Sequence, residues 1–462
     1  MTEKRIRWAA AMIIAAGWGA LSAWWTPRGP LTNVEAIWSI VISAAVGVGA
    51  GLATRSRWAI PLTPLMYATT LELCRITVSG PSVDAPHASA FGLVALITGR
   101  GVHGLLSLLP MAVGAACGRA LGAAGRARGG PGRTRAVAGR VLLGLSTAVV
   151  IAVAALVALP ARTAPVPGGV AELTTVDGLG VMIRGVDTSR PVLLFVPGTP
   201  GGSEVGAMRL HLAELEMHFV VATLDRRGGG ASYPALSPGR LTVDGTVADI
   251  LTVTDHLRAR FRQDRIYLLA FSGGSVAGAL AASRAPSKYR AYIGTGQTVD
   301  VRASDEIFYA DILAWARAGG RDDLVRQLSS QGPPPYPDFW SYEPIVLHEN
   351  QAYGQNAPAV DIDVPEFTML QKAHTLTAVM DTWSILYPRM QETDLRREVP
   401  SLTIPAYFIQ GENEMRGLSV LFEQWYTALR APSKRLDVIP GAGHRAMFEE
   451  PARFVAILAA LG

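Results

Sequence analysis

Hydrophobic positions run through this chain in two different rhythms, and the change comes near residue 160. Before it, apolar residues come in long blocks, from Trp8 to Trp25, Ala36 to Ala53, Trp58 to Val78 and Val141 to Leu159. At about 1.5 Å per helical residue, blocks of this length suit a hydrocarbon layer of about 30 Å. A further block, Ala88 to Cys117, is interrupted by Gly99-Arg100-Gly101, and reads either as one span or as a short re-entrant piece followed by a span. The first block, behind Lys4, Arg5 and Arg7, has the look of a signal peptide, but a cleaved leader is not followed by so much more membrane-compatible sequence.

Beyond a Pro-containing tether at 161–169 the rhythm shortens to strands alternating with helices. Val170 to Val176 and Val181 to Gly185 predict an opening hairpin. Val192 to Val196, Val220 to Leu224, Ile266 to Ala270, Ala291 to Gly294, Ala406 to Gln410 and Leu436 to Ile439 predict six mainly parallel strands. Val247, Ile250, Leu251, Leu257 and Phe261, with Thr254 on the polar step, form a helical stripe before the third of these. From 301 to 400 the strand rhythm stops and helical stretches such as Asp305 to Ala318 take over. The expected organisation is a transmembrane helical region of about five spans (1–160), a linker (161–169), an α/β core (170–300 and 401–462) and a helical insertion (301–400).

Charge separates the same two parts. Residues 1–160 hold 14 Lys or Arg against four acids, Glu3, Glu35, Glu72 and Asp84, so the front carries about +10 and the remainder about −5 of the net +5. The basic surplus therefore flanks membrane helices, and no cationic cluster with aromatic platforms points to nucleic acid. Arg119, Arg126, Arg128, Arg133, Arg135 and Arg140 crowd one loop without an acid, whereas 79–89 has no Lys or Arg. By the positive-inside tendency the first loop is cytoplasmic and the second external. Treating 88–117 as one crossing satisfies both and leaves the globular part extracytoplasmic. Glu72 and Arg75, three residues apart, are expected to neutralise one another on one helical face. Cys74 and Cys117 both lie in apolar blocks, so neither a disulfide framework nor a metal cluster is expected.

The chemistry starts at Ala270-Phe271-Ser272-Gly273-Gly274, where a strand delivers a serine between small residues and a helix begins. That pattern is a nucleophile elbow, a turn tight enough to exclude larger side chains two places either side of the serine. Gly441-Ala442-Gly443-His444 follows a later strand, and Gly411-Glu412-Asn413-Glu414 closes another. Ser272 as nucleophile, Glu414 as acid and His444 as base then occur in the chain order of α/β-hydrolases, with Glu412 and Asp300 as rival acids. Pro197-Gly198-Thr199-Pro200-Gly201-Gly202 offers the Thr199 backbone N–H as a second oxyanion donor beside that of Gly273.

From about 168 onwards the chain resembles α/β-hydrolases of the proline iminopeptidase-like group. Pro197 to Gly201 is similar to that family's His-Gly-Gly-Pro-Gly, and Asp225-Arg226-Arg227-Gly228-Gly229-Gly230-Ala231-Ser232 to its Asp-Gln-Arg-Gly-x-Gly-x-Ser. Pro197 replaces the usual histidine, Thr199 the oxyanion glycine, and Glu414 the commoner aspartate. The resemblance implies an α/β fold: a mostly parallel twisted sheet with helices on both faces and a helical cap at 301–400, here preceded by an all-α transmembrane bundle. It also implies that Asp225 and Arg226 are structural. The expected activity is that of a membrane-anchored serine hydrolase cleaving a small ester or peptide/amide through an acyl-enzyme, without cofactor or metal. Release of an N-terminal residue is the alternative, and requires cap acids to receive a free amine. Glu306 and Glu343 are the candidates, with Asp305 and Glu349 also available. A third reading is a non-catalytic membrane sensor or carrier. Expected partners are a small-molecule substrate and the lipid bilayer, with no nucleic acid and no oligomeric state specified.

Overall fold

The computed structural model describes residues 3–76, 78, 87–123, 133–355 and 361–461. They fall into two units, one running to Pro160 and including Thr368–Thr377, the other made of Ala161–Phe367 and Ala378–Gly462.

The first unit is helical: α1 (Glu3–Trp25), α2 (Asn33–Thr54), α3 (Ala59–Arg75), α4 (Ala90–Leu96), α5 (Val102–Ala123) and α6 (Arg133–Ala158). Four of its helical stretches are long and apolar enough to cross a membrane, Glu3–Trp25, Asn33–Thr54, Ala90–Ala123 and Val137–Ala158. Gly99-Arg100-Gly101 does not break the fourth block, because α4 passes into α5 through a single π-helical turn, Ile97–Gly101. The third expected span is shorter than these four: α3 runs for 17 residues, with Glu72 and Arg75 in its last turn. Glu72 reaches Arg100 Nη2 at 3.3 Å, closer than the 4.0 Å to Arg75 that the i, i+3 spacing suggested. Asp84 with the rest of 79–86, and Arg126 and Arg128 of the arginine-rich loop, lie outside the described residues.

Small residues set the packing of this unit. A Cβ on Gly47 would stand 2.1 Å from the Met111 carbonyl oxygen, and one on Gly114 2.3 Å from that of Ala44. Helices α2 and α5 thus touch backbone to backbone, the geometry by which small-xxx-small faces associate where no hydrophobic force separates helix from lipid. At the start of α2, Thr32 accepts from the Glu35 amide while the Glu35 carboxylate accepts from the Thr32 amide, a capping box that accounts for one of the four front acids. Thr368–Thr377, expected to be cap, belongs to this unit because Leu370 joins the apolar cluster of Ala36, Ile40 and Leu106, and His374 Nε2 lies 2.9 Å from the Pro30 carbonyl.

In the second unit eight strands form one sheet in the order β1-β2-β4-β3-β5-β6-β7-β8. They are β1 (Val170–Val176), β2 (Leu179–Gly185), β3 (Val192–Val196), β4 (Val220–Leu224), β5 (Ile266–Phe271), β6 (Tyr289–Thr295), β7 (Ala406–Gly411) and β8 (Lys434–Ile439). The expected hairpin is present: β1 and β2 pair antiparallel through Asp177 and Gly178, both with positive φ, the backbone that a two-residue hairpin turn demands. From β3 to β8 every pairing is parallel.

Because β3, β4 and β5 are buried on both faces, they read as unbroken apolar runs rather than alternating ones. On one face, Leu194, Leu268 and Ala270 pack against α8 (Val243–Phe261), α9 (Ser272–Arg284) and α15 (Arg416–Ala428). On the other, Leu193, Phe195 and Leu269 meet residues of α7 (Val205–His211), α16 (Ala446–Glu449) and α17 (Pro451–Ala459). The stripe on α8 is buried as its spacing predicts, and its polar step, Thr254, bonds the Tyr289 hydroxyl at 3.0 Å.

Between β6 and β7 stand α10 (Val301–Ala318), α11 (Asp322–Gln331), α12 (Glu343–Ala352), α13 (Met369–Met390) and α14 (Leu395–Glu398). Apart from Thr368–Thr377 they make the helical cap, with a small core of Phe308, Ile312, Leu328, Tyr342 and Ile345. The Pro-containing tether is fastened: the Arg162 amide donates to the Pro365 carbonyl at 2.8 Å, and the Thr163 hydroxyl to Glu366 at 2.8 Å.

Candidate active site

Strand β5 ends at Phe271 in extended backbone, and α9 opens at once on Ser272, whose φ is +48°. Positive φ is uncommon for a residue with a Cβ, and such strain persists only where the surroundings enforce it. Here the enforcement is steric. A Cβ on Gly274 would stand 2.2 Å from the Pro197 carbonyl oxygen, so the chain after the serine presses on the loop after β3. The turn leaves the Ser272 hydroxyl partly exposed at the carboxyl end of the sheet, with the Gly273 amide in the first turn of α9, where amides have no helical partner.

The loops after β7 and β8 bring the other two side chains to it. His444 Nε2 lies 2.9 Å from Ser272 Oγ, and its Nδ1 lies 2.9 Å from Glu414 Oε1. The side chain of Glu414 is 3% exposed and that of His444 15%, so the acid is shielded while the ring edge meets the cavity. Ring planes of Phe271 and His444, with centroids 5.2 Å apart, add packing to the histidine. The rival acids are engaged elsewhere: Glu412 accepts from the Gly441 amide, and Asp300 caps α10 and pairs with Arg396.

Beside Ser272 lies a cavity of about 190 Å³, entirely within the second unit. Gly198, Thr199 and Gly273 line it next to the serine, while Asp305, Phe308, Tyr342, Glu349, Trp383 and Tyr387 form the cap side.

The sequence profile of the Alpha/beta hydrolase family matches residues 193–457, more than half of the chain. The chain belongs to the alpha/beta hydrolase family. This hydrolase is 26% identical over 284 residues to the probable aminopeptidase YbaC of Bacillus subtilis (strain 168), covering 59% of this chain and 89% of that protein. Among solved structures it is similar to a proline iminopeptidase of Mycobacterium smegmatis, with 18% identity, a TM-score of 0.48, and coverage of 63% of this chain and 97% of the other. A proline iminopeptidase-related protein of Thermus thermophilus is 22% identical, with a TM-score of 0.43 and coverage of 63% and 96%.

Around the site of this hydrolase, burial and charge act in opposition. Burial disfavours the charged His444 ring, but the Glu414 carboxylate, by charge and hydrogen bond, and Glu349 beyond it outweigh that and hold the imidazole pKa above its ordinary value. Burial pushes Glu349 up to about 7, with the His444 ring pulling it back. It pushes Asp305 up to about 7 as well, against hydrogen bonds from the Tyr387 hydroxyl and the Gln391 amide.

Of the two cap acids singled out from the sequence, neither lines the cavity. Glu306 is exposed on α10, and Glu343 is buried at the start of α12 away from the cavity wall. Their neighbours Asp305 and Glu349 line it instead. Helical phase explains the difference, because one residue turns a helix by about 100°. Val301, Ser304, Asp305 and Phe308 form one stripe of α10, and Tyr342, Ile345, Val346 and Glu349 one stripe along α12 and the turn before it.

Arg226, structural by the resemblance, is buried and donates from Nη1 to the Gly198 carbonyl at 2.7 Å. Since the peptide is trans, this bond turns the Thr199 N–H to the opposite side. Burial brings the Arg226 pKa down to about 10. Asp225 accepts from the Ser203 hydroxyl and from the Ala231 amide, holding the following glycine-rich turn. Ser275 donates to the Ser272 carbonyl and accepts from the Thr298 amide at 3.0 Å, tying the start of α9 to the segment after β6.

Proposed function

We propose that this protein is a membrane-anchored serine hydrolase that cleaves a small ester or peptide/amide bond through an acyl-enzyme. The observation that carries the reading is the unbroken relay from Glu414 through His444 to Ser272, with both links at 2.9 Å. A serine hydroxyl is a weak nucleophile near neutral pH, so His444 takes its proton as Oγ bonds to the substrate carbonyl carbon. Glu414 holds the tautomer whose Nδ1–H faces it and stabilises the imidazolium. The backbone amides of Gly273 and Thr199 receive the developing oxyanion, each such donor being worth about 10²- to 10³-fold in rate. His444 then returns its proton to the leaving alcohol or amine. Water, deprotonated by the same imidazole, attacks the acyl carbon, and Ser272 regains its proton as the acid product leaves.

A second reading within this chemistry, removal of an N-terminal residue, is favoured by Asp305 and Glu349 on the cavity wall. Two carboxyls there suit a substrate ammonium group. Replacing Ser272 by Ala should abolish turnover of short p-nitrophenyl esters and of proline p-nitroanilide by the detergent-solubilised chain. Retained turnover by Ser272→Ala would reject the serine mechanism, and the relative rates on the two substrates rank the two readings. A non-catalytic sensor or carrier predicts no turnover of either by the wild type.

The anchoring reading rests on four apolar helices of crossing length and on the basic surplus of residues 1–160. With the loop from Arg119 to Arg140 inside, the hydrolase unit lies outside the cytoplasm. External protease should therefore cut within 170–462 in intact cells, and full protection would reverse the orientation.

A further inference from the structure

The loops that carry Glu414 and His444 are tied together within the core, beginning with Glu412, which accepts from the Gly441 amide at 2.8 Å. The Asn413 amide donates to the Ala442 carbonyl at 2.8 Å and its side-chain amide to the Gly441 carbonyl at 3.1 Å. Glu449 accepts from the Gly443 amide at 2.7 Å and from the Arg445 amide at 3.2 Å, flanking the histidine. The amide of His444 itself goes elsewhere. It donates to Gln355 Oε1 at 3.2 Å, while Gln355 Nε2 donates to the Asn413 carbonyl at 2.9 Å. One side-chain amide, from the cap, therefore spans from the residue before Glu414 to the backbone of His444.

Two further observations bear on it. A Cβ on Gly443 would stand 2.9 to 3.1 Å from the amide atoms of Gln355, so the amide lies flat on a residue that has to be glycine for it to do so. Gln355 is itself held by the turn that ends α12, its backbone amide donating to the Asn350 carbonyl at 2.7 Å. It also lines the cavity beside Ser272, on the same helix-and-turn segment as Glu349.

We propose that Gln355 is a positioning residue, a clamp by which the seated cap holds the acid loop and the histidine loop in register for the Glu414–His444–Ser272 relay. The inference rests on the serine-hydrolase reading above and goes beyond it, because it makes the relay's geometry depend on a cap side chain that takes no part in the chemistry. Without the clamp the loops keep their ties at Gly441 and Ala442, and Glu449 still holds Gly443 and Arg445, but the His444 amide loses its link to the Asn413 carbonyl, so the Nδ1–carboxylate contact lengthens. Misplacement by about 1 Å at a reacting group costs on the order of 10²-fold in rate. The charged groups acting on the His444 ring are Glu414 from the loop after β7, Glu349 from α12, Glu204 just before α7 and Arg445 beside it in the chain. Only the first is displaced by loss of the clamp.

The test uses the full chain in detergent, with Gln355→Met, which keeps length and loses both bonds, and Gln355→Glu, which keeps the acceptor for the His444 amide. For Gln355→Met, kcat should fall about 10- to 100-fold with KM little changed. The acidic limb of its pH profile should move down, because less of the Glu414 charge reaches the ring. Gln355→Glu should recover part of kcat and move that limb up, its added negative charge favouring the imidazolium. A Gln355→Met protein with wild-type kcat and limb would overturn the proposal. So would a loss confined to KM, or one that follows a fall in Tm with no recovery in Gln355→Glu. Ser272→Ala keeps the two readings separate: if it still turns over ester, the serine mechanism fails, whereas if it is dead and Gln355→Met is normal, only the clamp fails.

Discussion

Gly274 is the point at which the strained turn at Ser272 and the loop after β3 press on one another, and Gly274→Ala tests that contact with a single methyl group. The added Cβ would lie 2.2 Å from the Pro197 carbonyl oxygen and 3.0 Å from its carbonyl carbon. Both are backbone atoms, so no flexible side chain can turn aside. Restoring an ordinary carbon–oxygen contact of about 3.2 Å requires a shift of about 1 Å between the start of α9 and the loop from Pro197, the scale of misplacement at which about 10² in rate is lost. Gly198 and Thr199 follow Pro197 directly, so the shift falls on the Thr199 amide proposed as an oxyanion donor. Overpacking of this kind costs about 1–3 kcal/mol of stability, a fall of a few degrees in Tm for a unit of this size. The assay is kcat/KM on a p-nitrophenyl ester alongside a thermal melt of the solubilised chain. A variant with wild-type kcat/KM and unchanged Tm would refute the argument that this glycine is demanded by close approach.

Glu414→Gln keeps the shape of the acid but loses its charge, and should lower kcat by about 10³- to 10⁴-fold. Since Glu414 raises the His444 pKa, the acidic limb of kcat/KM should lie above the ordinary histidine value of about 6.5 in the wild type; activity needs the neutral ring and is lost as pH falls through that limb. In Glu414→Gln any residual activity should show the limb displaced downward, which a pH–rate profile reads. Glu349→Gln should raise KM for an amine-bearing substrate such as proline p-nitroanilide with little change for neutral esters. Because burial holds Glu349 and Asp305 near 7, the carboxylates are increasingly lost below that pH, and the wild-type KM for the amine should rise as pH falls through it. In the helical unit, Gly114→Leu drives a side chain into the Ala44 carbonyl and should lower the thermal stability of the solubilised chain, whereas Gly144→Leu, with open space around it, should not.

The sheet was largely legible because each central strand is buried on both faces and appears as a short apolar run ended by turn residues. The strands that begin earlier than predicted, β2 from Leu179, β6 from Tyr289 and β8 from Lys434, start with residues the apolar run does not mark as strand. Ser272, Glu414 and His444 were visible because the elbow and the strand-end loops are local patterns; their convergence at 2.9 Å is what the sheet order adds. Among the cap acids, helical phase separates Asp305 and Glu349, which line the cavity, from Glu306 and Glu343, and the stripe Val301, Ser304, Asp305, Phe308 was there to be read. Arg226 on the Gly198 carbonyl and Gln355 across two loops had no local signal, since each bond joins segments distant in the chain. Similarly, α3 reads as an apolar block from Trp58 to Val78, whereas the helix runs from Ala59 to Arg75.

The most direct test of the central claim is to label the solubilised chain with a fluorophosphonate and map the adduct by peptide mass spectrometry. A single phosphonylated serine at Ser272, absent in Ser272→Ala and formed far more slowly in His444→Ala, is the result the relay predicts. Labelling that persists in Ser272→Ala, or that proceeds at the wild-type rate without His444, would contradict it.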